Sequence, residues 1–238
     1  MSNLKMNSRN VKKSARDYAL KQLKNAIIHG HLYPEQTLIE TELAEKLEIS
    51  RTPLREALLQ LETEHWVKRK SNGRLQVSAI SVAEASELFK VRARLEEMVT
   101  GEATLKAEES DIEVLRSIAQ QIMAAHEAKD LPTVLEKGAE FHTSIYRLSG
   151  NRIVDEVLSL LNERISRYRY LIPQENICSH IKEDDEHLDI VNHMAEKNAD
   201  RASQAMRNHI ENSLHGVIQG IQAFEAEKRS IFDSRLNF

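Results

Sequence analysis

The chain has 238 residues, of which 41% are hydrophobic and 29% charged, a composition typical of a globular protein with one or two domains. A single cysteine, Cys178, excludes an internal disulfide and a cysteine-rich zinc finger. No apolar run approaches the twenty or so residues of a membrane span, and the first residues lack the hydrophobic core of a signal peptide. We therefore expect a cytoplasmic protein that does not enter a membrane.

The charge is unevenly distributed along the chain, although the net charge is only −4. Residues 1–78 contain 14 Lys and Arg against 9 Asp and Glu, whereas residues 79–238 contain 19 against 28. A small basic segment joined to a larger acidic one favours a nucleic-acid-binding domain attached to a domain with another role. We predict a flexible tail over 1–13, a DNA-binding domain over 14–78, an all-helical domain over 79–230 and a C-terminal tail over 231–238.

The first part of the chain predicts two helices before residue 50. The first covers "ARDYALKQLKNAIIHGHL", has apolar residues at helical spacing and is closed by Gly30. After a turn around Pro34, "TELAEKLEI" predicts a short second helix with Leu43, Ala44 and Leu47 facing inward. A third helix follows so closely that the pair is typical of a helix-turn-helix, whose second member is the recognition helix.

The third helix begins in "ISRTPLREALLQLE", where Ser50 is a favourable N-cap and Pro53 is tolerated in the first turn. Its predicted apolar stripe consists of Leu54, Leu58, Leu59 and Leu61. Arg51, Thr52 and Arg55 occupy its exposed N-terminal end, where the helix dipole disfavours cations. We interpret these residues as contacts to an anion outside the helix. One arginine can bind guanine and the other a phosphate.

A β-hairpin is predicted next, because "WVKRKSNGRLQVSAI" alternates around Asn72-Gly73, a pair that suits a two-residue turn in which both positions need positive φ. Such a hairpin after a helix-turn-helix is a wing. Its cations, which we expect to follow the DNA backbone or the minor groove, are Lys68, Arg69, Lys70 and Arg74.

The stretches "LAEKLEISRTPLREALLQLE" and "VKRKSNGRLQV" resemble the winged-helix domain of the GntR superfamily of bacterial transcription regulators. The resemblance covers residues 14–78 and implies that Arg51, Thr52 and Arg55 are recognition-helix positions and Gly73 the wing-tip glycine. Together with the hairpin, the expected DNA-contacting residues are Thr41, Arg51, Thr52, Arg55, Lys70, Asn72, Gly73 and Arg74. Two departures stand out. Glu35 replaces the glycine common after Pro34, and Thr41 stands where some relatives have a DNA-contacting arginine, which leaves the operator sequence open.

From Ser81 onward the pattern is helical throughout, with short punctuated loops. The predicted helices are 81–107, 110–129, 131–148, 151–172, 177–197 and 199–230. Short loops between helices imply an antiparallel bundle. The predicted fold class is therefore mainly α, with an N-terminal winged helix-turn-helix that includes a small β-hairpin and a C-terminal all-α antiparallel bundle.

Three histidines lie beside apolar residues on three predicted helices: His142 in "EFHTSIY", His187 in "EHLDIV" and His209 in "MRNHIENS". If they converge inside the bundle as neutral imidazoles, they suit zinc, nickel or a similar metal. Taken singly, a histidine in such a pattern is more often an ordinary buried or half-exposed residue than a metal ligand. Periodicity alone leaves the two interpretations open.

The order and spacing of these histidines over residues 81–222 resemble the FadR subfamily with its FCD effector domain. The resemblance implies a fourth ligand, because metal-binding members of this subfamily have an aspartate one helical turn before the first histidine. Here that position is Gly138, so the site is incomplete, although three histidines can hold zinc, nickel or manganese with an open position. Glu183, one turn before His187, could approach the same cavity. The competing interpretation is a histidine-lined cavity that binds an anionic effector directly.

Arg94 in "VRARLEEM" matches an arginine common in the first FCD helix, and a buried cation near the histidines would suit a carboxylate effector. Its alternative role is a salt bridge to Glu97. From the two-part architecture we expect a homodimer on a palindromic operator, in which the domain over 79–230 dimerises and binds a small anionic effector that releases the DNA. The effectors that the resemblance implies are small organic acids, sugar acids, amino acids or acyl-CoA thioesters, and the sequence does not choose among them. The most consistent role is a repressor of a metabolic or transport operon. The alternative is a constitutive DNA-binding regulator with a degenerate effector site.

An enzyme that uses the histidines for catalysis is disfavoured. The sequence shows no His-Glu-x-x-His helix, no nucleophile elbow and no glycine-rich phosphate loop. We therefore expect no enzymatic activity.

Overall fold

In the computed structural model, the described residues are 8–171 and 186–236, with side chains described over 14–171 and 186–226. The chain divides into two compact units, Met1–Ile80 and Ser81–Phe238. Cys178 and Glu183 lie outside the described residues. Within the described residues, no helix is long and apolar enough to cross a membrane.

The first unit is a winged helix-turn-helix, as predicted. Its elements are α1 (Ser8–Ile28), α2 (Glu40–Lys46), α3 (Arg51–Thr63), β1 (Val67–Arg69) and β2 (Leu75–Val77). The two strands pair antiparallel, with Val67 opposite Val77 and Arg69 opposite Leu75. Ser50 is the N-cap residue of α3, but its hydroxyl accepts no capping hydrogen bond.

The core of this unit is built by one face of each helix and by the hairpin. Its fully buried members include Leu23, Ile27, Leu54, Leu58, Leu61, Trp66 and Val77. Leu59, predicted to belong to the apolar stripe, is 63% exposed. The prediction was wrong because Leu54, Leu58 and Leu61 recur at i, i+4 and i+7, whereas Leu59 is turned about 100° away from Leu58.

The turn before α2 explains why glycine is common after Pro34. Glu35 has φ of 66°, in the left-handed region. The backbone that follows pairs with the hairpin, since Leu38 N donates to Leu75 O at 2.9 Å and Val77 N donates to Gln36 O at 2.9 Å. This pairing fixes the turn, so Glu35 must adopt a conformation that costs an L-residue about 1 kcal/mol.

The hairpin turn differs from the prediction of positive φ at both Asn72 and Gly73. Gly73 alone of the two has positive φ, at 79°. Gly73 N donates to Lys70 O at 2.8 Å, and Arg74 N donates to Asn72 Oδ1 at 3.1 Å. The loop is thus longer than two residues, and a single left-handed residue closes it.

The second unit is an antiparallel helical bundle, as predicted. Its described helices are α4 (Val82–Lys106), α5 (Glu109–Glu127), α6 (Leu131–Ser149), α7 (Arg152–Leu171), α8 (Glu186–Ala195) and α9 (Ala199–Leu236). Local caps set the boundaries: Ser81 Oγ accepts from Glu84 N at 3.1 Å, and Gly150 ends α6 with φ of 67°.

Two predictions for this unit need comment. The segment 177–185 of the predicted helix 177–197 lies outside the described residues. Helix α9 continues to Leu236, into the segment 231–238 that was predicted as a C-terminal tail. Helices α4, α6, α8 and α9 meet around the three histidines, since Glu96 of α4 contacts His142 of α6 and Glu186 of α8 contacts His209 of α9.

Candidate functional site

The N-terminal end of α3 presents the predicted recognition residues to solvent. Arg51, Thr52 and Arg55 are exposed, while Pro53 and Leu54 are buried against the core of the first unit. The buried face therefore fixes which side chains point outward. Thr41 is also exposed, near the N-terminus of α2.

Arg55 has a partner that sequence reasoning missed. Its Nε donates to Glu40 Oε2 at 2.7 Å, although 64% of the arginine side chain is exposed. Because the contact uses Nε, the terminal nitrogens Nη1 and Nη2 are left for a bidentate contact to guanine. The signal in the sequence was an acidic residue at the start of α2, fifteen residues before the arginine.

The wing carries its predicted residues at its tip. Lys70, Asn72, Gly73 and Arg74 are all exposed. Arg69 is held instead within the unit, since its Nη1 donates to Gly73 O at 3.0 Å and its Nη2 to Glu62 Oε2 at 3.0 Å. Arg69 thus braces the wing against α3.

In the second unit, the structure brings His142, His187 and His209 together from α6, α8 and α9. One ligand atom from each lies within 4.8 Å of the other two. The ring centroids are 4.4 Å apart for His187 and His209, 5.3 Å for His142 and His209, and 6.1 Å for His142 and His187. His142 and His209 are buried and His187 is partly buried.

Two carboxylates orient this cluster from behind. His142 Nδ1 lies 2.6 Å from Glu96 Oε2, and His209 Nδ1 lies 2.8 Å from Glu186 Oε2. Asn212 Nδ2 donates to the other oxygen of Glu186 at 2.5 Å. A carboxylate behind each ring fixes its orientation and leaves Nε2 as the atom for a metal, the arrangement usual for metal-binding histidines. Glu186 directly precedes His187 in the sequence, but nothing in the sequence indicated that its carboxylate contacts His209.

Glu96 is the centre of a buried polar network. Its Oε1 accepts from Arg92 Nε at 2.5 Å and from Tyr146 Oη at 2.5 Å. Burial by itself raises the pKa of the Glu96 carboxyl, but the charge of Arg92 and the hydrogen bonds with His142 and Tyr146 outweigh burial and hold that pKa well below its usual value. The carboxylate is therefore ionised behind His142.

The buried cation beside the cluster is Arg92, not Arg94 as predicted. Arg94 is 63% exposed and its Nη1 donates to Glu97 Oε2 at 3.0 Å. Two positions along a helix differ by about 200°, so Arg92 faces the interior when Arg94 faces solvent. Arg92 Nη1 is buried, and no hydrogen-bond partner for it exists among the described residues.

The imidazoles are neutral at physiological pH. Burial lowers the pKa of His142 despite the opposing charge of Glu96. Burial, followed by repulsion from neighbouring imidazoles, lowers the pKa of His187 and His209 well below the usual value. Desolvation, followed by repulsion from Arg92, lowers the pKa of Arg169 to about 9, so this guanidinium stays charged near the cluster. Neutral imidazoles are the form that binds metals.

Gly138 lies one turn before His142 and is buried. Among residues 8–171 and 186–236, nothing lies within 4 Å of a Cβ built at this glycine, so this part of the chain leaves open space where the resemblance implies an aspartate. Three neutral, pre-oriented imidazoles fit a divalent metal such as zinc or nickel, with at least one coordination position left to water or a ligand.

Comparison with known proteins gives two family matches. Residues 16–77 match the bacterial regulatory proteins of the gntR family, and residues 87–212 match the FCD domain. The Nta operon transcriptional regulator of Aminobacter aminovorans is 28% identical over 199 residues, 83% of this chain and 91% of that protein. The HTH-type transcriptional repressor GlaR of Escherichia coli (strain K12) is 26% identical over 195 residues, 79% of this chain and 89% of that protein.

Solved structures share the fold. McbR/YncC of E. coli superimposes with a TM-score of 0.68 at 21% identity, covering 86% of this chain and 97% of that chain. A GntR regulator from Rhodococcus sp. RHA1 superimposes with a TM-score of 0.67 at 18% identity, covering 87% and 98%. The likeness confirms the predicted fold class of a winged helix-turn-helix followed by a helical bundle.

Proposed function

Because this chain belongs to the GntR family of bacterial transcription regulators and carries an FCD domain, we propose that it is a repressor whose DNA binding responds to a small anion. It is a DNA-binding regulator of transcription and not an enzyme, like its named relatives. The E. coli relative GlaR is named a repressor, which supports the proposed direction of regulation. Acting on bacterial DNA, it would work in the cytoplasm.

The proposal is supported above all by the pre-organised cluster of three neutral histidines beside the buried guanidinium of Arg92, whose Nη1 has no hydrogen-bond partner among the described residues. A buried donor without a partner costs about 1–3 kcal/mol, so a ligand that satisfies it gains that energy on binding. A carboxylate matches a guanidinium in charge and shape. We therefore expect a small organic acid as effector, with Arg92 as its anchor and Arg169 as a second cation.

A divalent metal would be held by His142, His187 and His209, with zinc, nickel and manganese as the candidates. Such an ion is a Lewis acid that binds carboxylate oxygens. The chain's own contribution is to hold the imidazoles in place through Glu96 and Glu186. The open space at Gly138 leaves room for a ligand on the side where the family's aspartate would stand.

We propose that the protein works as a homodimer on a palindromic operator. Each recognition helix would place Arg51, Thr52 and Arg55 in the major groove of one half-site, while the wing follows the backbone. Effector binding in the helical domain would shift the population between arrangements that differ in DNA affinity. Allosteric couplings of this kind are typically about 1–3 kcal/mol, or roughly 5- to 150-fold in affinity.

The test measures operator affinity by fluorescence anisotropy, on a sequence selected from a random DNA library with the full chain. We expect zinc together with one member of a carboxylate panel to weaken binding about fivefold or more. His209→Ala should abolish this response while retaining operator binding. His215→Ala changes an exposed histidine on the same helix and should respond normally. An identical response in His209→Ala would contradict the proposed site.

The DNA surface is tested in the same assay. Arg51→Ala combined with Arg55→Ala should remove discrimination between the selected operator and random DNA, because base contacts cost about 1–3 kcal/mol each when lost. Arg201→Ala removes an exposed arginine from the helical domain and serves as control. Sequence-specific binding retained by the double variant would overturn the recognition-helix assignment.

The alternative is a constitutive regulator with a degenerate effector site, which the Gly138 replacement favours. It predicts the same operator affinity with and without metal across the whole carboxylate panel. It also predicts that His209→Ala and wild type behave alike.

A further inference from the structure

The wing of the DNA-binding unit has little β-sheet to hold it in place. Its strands β1 and β2 are three residues long each. At the tip, Lys70 N donates to Arg74 O at 2.9 Å and Gly73 N donates to Lys70 O at 2.8 Å. A two-stranded hairpin is only marginally stable in water on its own. The position of the wing tip therefore depends on contacts beyond the hairpin backbone.

Arg69, the last residue of β1, makes such a contact. Successive side chains of a strand point to opposite sides, so Arg69 lies on the same side as the buried Val67 and faces helix α3. Its Nη2 donates to Oε2 of Glu62, a residue in the last turn of α3, at 3.0 Å. Its Nη1 donates to the carbonyl oxygen of Gly73 at 3.0 Å. One guanidinium thus joins the recognition helix to the wing tip.

The chemistry of Arg69 suits a bridge between two elements. A guanidinium is planar and its donors point in a fixed fork, so its contacts to two acceptors fix the acceptors relative to each other. The side chain of Arg69 is 48% exposed and that of Glu62 27%. Ion pairs this exposed contribute little to folding. We therefore expect the effect of the bridge in the position of the wing tip more than in the stability of the domain.

The wing tip displays residues that the proposed function assigns to DNA. Lys70, Asn72 and Arg74 are exposed there, and Arg74 N donates to Asn72 Oδ1 at 3.1 Å. The recognition helix and the wing contact different parts of a DNA site, so simultaneous contact requires a fixed separation between them. A loop that is already ordered avoids the entropy cost of being ordered in the complex. The bridge through Arg69 supplies this order before DNA binds.

Glu62 separates this role from a direct contact between Arg69 and DNA. A carboxylate near a DNA-binding surface repels phosphates, so its removal alone should leave DNA affinity unchanged or raise it. If Glu62 instead holds Arg69 in place, its removal should lower the affinity, although the protein becomes more positive. The two roles predict effects of opposite sign.

We propose that Arg69, held by Glu62, is a positioning residue that fixes the wing tip relative to the recognition helix. It acts on DNA binding through Gly73 and the exposed residues beside it, and not by contacting the DNA backbone as the sequence pattern predicted. This inference rests on the DNA contacts of the proposed function and adds how the protein presents them. Helix α3 and the wing tip then bind DNA as one unit.

The test measures the affinity of the full chain for its selected operator by fluorescence anisotropy. Glu62→Ala and Arg69→Lys should each weaken binding about three- to tenfold, because the wing tip must then be ordered during binding. Glu56→Ala is the matched control, since it removes an exposed carboxylate from the same helix, and it should bind at least as tightly as wild type. Urea unfolding followed by the fluorescence of the buried Trp66 checks that each variant is folded.

A double-mutant cycle tests whether Glu62 and Arg69 act through the wing tip. Lys70→Ala combined with Arg74→Ala removes two exposed cations from the tip. In that background the tip has less DNA contact to lose, so Glu62→Ala should weaken binding by less than about twofold.

The outcomes separate this inference from the proposed function. Weakening by both Glu62→Ala and Arg69→Lys that is lost in the tip background supports the positioning role. A folded Glu62→Ala protein that binds as tightly as Glu56→Ala overturns it and leaves the recognition helix intact. Arg69→Lys with wild-type affinity, or equal weakening by Glu62→Ala in both backgrounds, also overturns it. A wild type that selects no operator overturns the proposed function and this inference together.

Discussion

Single residues set both the strain and the chemistry of this protein. Glu35 adopts a left-handed conformation because the backbone pairing of Leu38 and Val77 with their neighbours fixes the turn. In the helical domain, Arg92 and Arg94 show how one position can decide which side chain reaches the ligand site. They are two positions apart, yet one is 1% and the other 63% exposed in its side chain, so only Arg92 can serve the ligand site.

We expect Glu35→Gly to stabilise the DNA-binding domain by about 0.5–1 kcal/mol, because glycine removes the left-handed penalty but also makes the unfolded chain more flexible. Trp66, the single tryptophan, is buried in this domain, so urea unfolding followed by its fluorescence reports this unit. Glu42→Gly lies within helix α2 and should destabilise by about 1 kcal/mol. A loss of stability in Glu35→Gly would show that its side-chain contacts outweigh the backbone strain.

At the scale of elements, helices α4 and α9 approach closely at Gly101. A Cβ at this position would lie 2.6 Å from Ser203 Oγ and 3.9 Å from Ala199 O, so the small residue permits the packing of the two helices. The same helix pair positions the histidine site, since α9 carries His209 and α4 carries Glu96.

Gly101→Ala should therefore give little or no gain in stability, because the helix propensity of alanine, worth about 1 kcal/mol, is offset by the clash with the serine hydroxyl. In the Ser203→Ala background the same change should stabilise by about 0.5–1 kcal/mol. Thermal unfolding monitored by circular dichroism measures all four members of this cycle. Equal effects of Gly101→Ala in both backgrounds would rule out the clash.

At the scale of the whole molecule, we expect the residue at position 138 to set how strongly metal binding depends on the effector. With only three imidazoles, a metal has open positions that an effector's carboxylate can fill, so metal and effector should bind more tightly together than alone. The DNA-binding unit would then respond to both species.

Gly138→Asp should tighten zinc binding about tenfold or more, because a carboxylate one turn before His142 adds a ligand in a space that is open. Gly138→Ala fills part of the same space without a ligand and is the control. Zinc per monomer, measured by plasma mass spectrometry after dialysis against metal-free buffer, should rank Gly138→Asp above wild type and Gly138→Ala. Equal zinc in all three proteins would mean that the introduced carboxylate does not reach the metal.

Much of the fold was predictable because its signals are local. Helical spacing, the caps at Ser81 and Gly150 and the turn glycine Gly73 each act within a few residues, and their positions agree with the structure. The outward direction of Arg51 and Arg55 followed from the same local pattern. The errors at Leu59 and Arg94 arose because one or two positions along a helix change the face that a side chain occupies.

The sequence by itself determined the two-domain, mainly α architecture, the recognition helix and the three histidines, since periodicity, capping and motif spacing are properties of contiguous residues. Only the tertiary structure decided that Glu96, Arg92 and Tyr146 form a buried network behind His142, and that Glu186 lies behind His209. The contacts of Glu96 with His142 and Tyr146 join residues 46 and 50 positions apart, so no local pattern specifies them.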